Sequence, residues 1–60
     1  MLMSRDTNLG EGLTVGQVSD LRDEAGQAGD MAIVATCDDA LEHDVTALRK
    51  IVEVLNKRGG

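Results

Sequence analysis

Residues 25–44, AGQAGDMAIVATCDDALEHD, decide the fold. Two breaks, Gly29-Asp30 and His43-Asp44, enclose the densest apolar run of the chain. Glycine after a helix can take the left-handed conformation that stops it, and Asp is a strong helix N-cap. The spacing predicts a helix over 31–42, with Ile33, Val34, Cys37, Ala40 and Leu41 on one face. The run Ile33-Val34-Ala35-Thr36-Cys37 also has the β-branched character of a strand. Two arguments favour the helix. The chain shows no second β-rich run to pair with, and Ala40-Leu41 carries the apolar face past strand length. The runner-up is a strand paired with its copy in a second chain.

Outward from this stretch, the pattern predicts one helix on each side. Thr14 is a candidate N-cap, and Gln17 three residues later completes a capping box. Leu13 and Val18 stand at the spacing of a hydrophobic staple. Val15, Val18, Leu21, Arg22 and Ala25 follow helical spacing up to the stop at Gly29. Gly16 and Gly26 each weaken a helix by about 1 kcal/mol relative to Ala, and Gly26 invites a close neighbour. On the other side Asp44 caps a helix over 45–57, with Val45, Leu48, Ile51, Val52 and Leu55 as its stripe and Val54 widening it. Lys57 and Arg58 suit the negative end of that helix dipole. Arg49 and Glu53 stand at i, i+4 and can pair.

The expected fold is therefore all-α: a helical hairpin plus a third helix within residues 13–58. Residues 1–12, MLMSRDTNLGEG, have no period and read as a frayed arm, and 59–60 as a tail. Sixty residues make one domain at most. Chains of this size bury only about 60% of the surface their unfolded chain exposes, less than larger domains do, and usually need a staple. There are no aromatic residues and only one cysteine, so the core is aliphatic and has no internal disulfide. Self-association is the expected remedy, through Leu48, Ile51, Val54 and Leu55 on the broad last stripe.

Charge narrows the function. Residues 1–44 hold ten acids and two basic residues, a net of −8, while 45–60 hold Arg49, Lys50, Lys57 and Arg58 against Glu53, a net of +3. The acidic balance argues against ordinary nucleic-acid binding, which needs positive charge. A lone thiol suits a reducing cytoplasm. The segment Met1-Leu2-Met3 meets Ser4-Arg5-Asp6 too soon for a signal sequence, and the apolar run 31–37 is too short to span a membrane.

The joint spacing of Leu21, Arg22, Glu24, Ala25, Ala28, Gly29, Asp30, Cys37, Ala40, Leu41, Asp44 and Ala47 follows the pattern LRxEAxxAGDx6CxxALxxDxxA. It resembles a group of short helical proteins of bacteriophages and prophages and covers about 27 residues. Here His43 stands where the group has Gly, and the third helix is more apolar. The resemblance implies a helical fold and a mobile-element origin, and no activity.

Chemistry-bearing residues concentrate at Cys37, Asp38, Asp39, Glu42, His43 and Asp44. Asp39 and His43 are one helical turn apart, yet Cys37 lies on the opposite, apolar face, so the set cannot converge on a metal. Cys37 has acids beside it and no base, which suits a core residue better than a nucleophile. Gly10-Glu11-Gly12 precedes no strand in this reading, so it is no dinucleotide fingerprint. The expectation is a non-enzymatic interaction module without metal or cofactor. It would bind itself and an unidentified protein, with Asp20, Asp23, Glu24, Asp38, Asp39 and Glu42 as an acidic face that could inhibit a host protein. The alternatives are a dimeric DNA-binding regulator or antitoxin-like protein using the basic last helix, and a structural virion or scaffold subunit.

Overall fold

Each turn of this chain is closed by its own backbone, and the computed structural model shows how for residues 4–59. The elements are β1 (Asn8–Gly10), β2 (Leu13–Thr14), α1 (Val15–Ala28), α2 (Met31–Leu41) and α3 (Val45–Gly59). The molecule is predominantly all-α, as its periodicity predicts. The expectations for Leu2, Met3 and Gly60 lie outside the described residues.

The two helix joints share one construction. After α1, Gly29 has φ +77°. Its N–H donates to the Gly26 carbonyl at 3.2 Å, and the Asp30 N–H donates to the Ala25 carbonyl at 2.9 Å. After α2, His43 has φ +67°. Its N–H donates to the Ala40 carbonyl at 2.9 Å, and the Asp44 N–H to the Asp39 carbonyl at 3.2 Å. Both are Schellman endings, which satisfy carbonyls the helix leaves orphaned. Each is followed at once by an aspartate cap. Asp30 Oδ1 accepts from the Ile33 N–H at 3.2 Å, and Asp44 Oδ1 from the Ala47 N–H at 3.1 Å. The segment 31–37 is thus helix, and the strand alternative falls. The third helix runs on to Gly59, two residues past Lys57.

The frayed arm is corrected over its described part. Asn8–Gly10 pairs antiparallel with Leu13–Thr14, Asn8 opposite Thr14 and Gly10 opposite Leu13, with an irregularity between Asn8 and Gly10. Glu11 and Gly12 have φ of +53° and +77°, as the two central residues of a type I′ hairpin turn require. The hairpin seats Leu9 in the core, 5% exposed. The segment before it caps α1. Val15 N–H donates to the Thr7 carbonyl and Gly16 N–H to the Arg5 carbonyl, both at 2.9 Å. The Thr14–Gln17 capping box is present, and with it the first donors of α1 find acceptors. Gly16 is explained here: a Cβ would stand 3.2 Å from the Arg5 carbonyl oxygen. Gly26, expected to admit a neighbour, has nothing within 4 Å of a built Cβ.

The core joins all the elements: Leu9 and Leu13 from the hairpin, Val15, Val18 and Leu21 from α1, Cys37 and Ala40 from α2, and Ala47, Leu48 and Ile51 from α3. No polar or charged residue is buried among the described residues. α2 packs against both α1 and α3. Its buried face is built from small residues, Cys37 and Ala40, both fully buried, which lets its neighbours approach. Arg22 points outward, not along the apolar stripe, and its Nε reaches Asp38 Oδ1 at 2.6 Å across the α1–α2 seam.

Two substitutions check this architecture. Leu9→Ala is expected to lower unfolding free energy by about 2–4 kcal/mol, the usual range for a buried leucine; urea titration would show almost no change if residues 4–12 were a loose arm. His43→Gly is expected to raise stability by about 1 kcal/mol, because it relieves a left-handed non-glycine residue, with part of the gain offset by glycine's freer unfolded chain. A thermal melt of the two proteins checks the sign.

Candidate interaction surface

The outer face of α2 follows from its own periodicity. Met31, Ala35, Asp38 and Glu42 recur at i, i+4, i+7 and i+11, and all four are exposed. The first half of this stripe is apolar, with Met31 65% exposed, and the second half is acidic. Beside its apolar half lies a shallow groove lined by Arg22, Asp23, Gly26, Gln27, Met31 and Val34. An amphipathic helix normally turns polar residues outward, so an exposed Met31 and Ala35 on a helix that is also apolar inward departs from the pattern of a surface helix.

The six carboxylates of the expected acidic face do not form one surface. Asp20 is held by Arg5 at 2.9 Å, Asp38 by Arg22, and Glu24 by Arg58. Asp23, Asp39 and Glu42 make no ion pair with a described residue. Asp20 and Glu24 border the α1–α3 side together with Leu55 and Arg58. Asp23 borders the α1–α2 groove. Asp39 borders the opposite, α2–α3 side with Asp44 and Thr46. The alternation of helices round a small core separates residues that a linear reading groups together.

The expected self-association residues are corrected in a similar way. Leu48 and Ile51 are each 1% exposed inside the chain's own core, so neither is free to meet a second chain. Val54 and Leu55 are half-buried. Val54 lines the α2–α3 groove and Leu55 the α1–α3 side. Among the described residues the large apolar side chains that do face outward are Met31 and Val45. Met31 could have been found by asking what stands opposite the apolar face of α2.

The basic residues of α3 are largely engaged. Arg49 reaches Glu11 in the hairpin turn at 3.3 Å, in place of the expected Glu53, which pairs instead with Lys57 at 3.3 Å. Arg58 pairs with Glu24 on α1. All these pairs are exposed, so each adds little to stability. Among the described residues no three of the His, Cys, Asp and Glu side chains gather closely enough to hold a metal ion. No helix among them is long and apolar enough to cross a membrane.

Cys37 sits on the inner side of α2. Burial pushes its thiol up, the Asp38 carboxylate pushes the same way, and the Arg22 guanidinium offsets part of the effect. The folded chain therefore keeps the thiol proton at pH values where the unfolded chain, near the ordinary thiol value of about 8.5, releases it. Stability is expected to fall as pH rises from about 8 to 9.5, below the lysine range. Denaturant midpoints measured across that window should decline for the wild type and stay flatter for Cys37→Ala.

No family model matches the chain, and no curated protein or solved structure is significantly similar to it.

Proposed function

We propose that this chain is a small, acidic, non-enzymatic protein–protein interaction module of the phage or prophage accessory kind, acting in the cytoplasm. The phage assignment rests on the sequence resemblance. The interaction role rests on one observation: the outer stripe of α2, apolar at Met31 and Ala35 and acidic at Asp38 and Glu42. An apolar anchor beside charge is the usual anatomy of a binding patch, in which a few buried side chains carry the affinity and charges set orientation. Asp23 lies along the same groove as Met31, where Arg22 also lines the wall and pairs with Asp38, so Asp23 and Glu42 are the carboxylates of this patch that make no ion pair with a described residue. The partner it suits is a protein with a basic surface around an apolar cleft, such as an enzyme whose nucleic-acid site the carboxylates would occupy and inhibit.

The DNA-binding alternative has less support. Three of the four basic residues of α3 are paired with carboxylates of this chain, and the deep side of the helix is core. Those ion pairs would have to open before a phosphate could be neutralised.

Affinity capture from a bacterial lysate tests the proposal. The wild type is expected to retain a defined protein at a fixed stoichiometry. The triple reversal Asp23→Lys, Asp38→Lys and Glu42→Lys, shown by circular dichroism to stay helical, is expected to weaken that capture by about tenfold or more. Equal retention by both proteins would remove the carboxylate reading, and a DNA shift by the wild type would replace it.

A further inference from the structure

We draw no further inference here: the strongest candidate, the apolar groove between α2 and α3 lined by Ala32, Ile33, Ile51 and Val54, has Lys50, Glu53 and Lys57 together on its walls with Glu53 and Lys57 paired, so its charge selects no occupant, and nothing in the structure shows what covers it.

Discussion

The fold depends on a backbone constraint used twice: a left-handed residue followed immediately by aspartate. At Gly29-Asp30 and again at His43-Asp44, one peptide unit ends a helix and the next begins another. The ending donors reach back into the finished helix, and the aspartate oxygen reaches forward into the new one. Nothing is left for a longer loop to do, so three helices fit into residues 15–59. The direction of each helix relative to the last is held by hydrogen bonds at the joint itself, in addition to side-chain packing. This is economical for a chain with no aromatic side chains, because its core has little area with which to correct a badly aimed helix.

Packing then decides what faces outward. α2 is flanked by α1 and α3 and buries mainly small side chains against them. Its larger residues are pushed to the flanks or outside: Ile33 and Val34 are half-buried and Met31 is exposed. The protein thus carries its most apolar helix partly in the open, with one groove on each side of it. The proposed binding role follows from the stripe that lies between them, apolar at Met31 and Ala35 and acidic toward Glu42.

Much of this was legible in the residues. Thr14 with Gln17, Gly29 with Asp30, and Asp44 are local signals, because a cap involves atoms only a few residues apart, and all three act as their chemistry predicts. The hairpin was not legible. Its turn places Glu11, not the usual Asn, Asp or Gly, in a positive-φ position, and its strands are too short to show alternation. Gly16 read as a weakness because the Arg5 carbonyl that crowds it is brought near only by tertiary structure. The acidic face failed for a related reason. Periodicity states which side of a helix a residue is on, but not which neighbour occupies that side. Thus Leu48 and Ile51 met the chain's own hairpin and helices, and the carboxylates were dealt out to three sides.

The carbonyls of Arg5 and Thr7 have a consequence for how order is distributed along the molecule. Helices commonly unravel from both tips, since the terminal groups there hold only water. In α1 the leading tip is tied to a segment that is itself pinned by Leu9. The hairpin and that tip must therefore open as one cooperative unit. Local melting is left to the last turn of α3, residues 56–59, whose side chains are exposed and which a single exposed ion pair ties to α1.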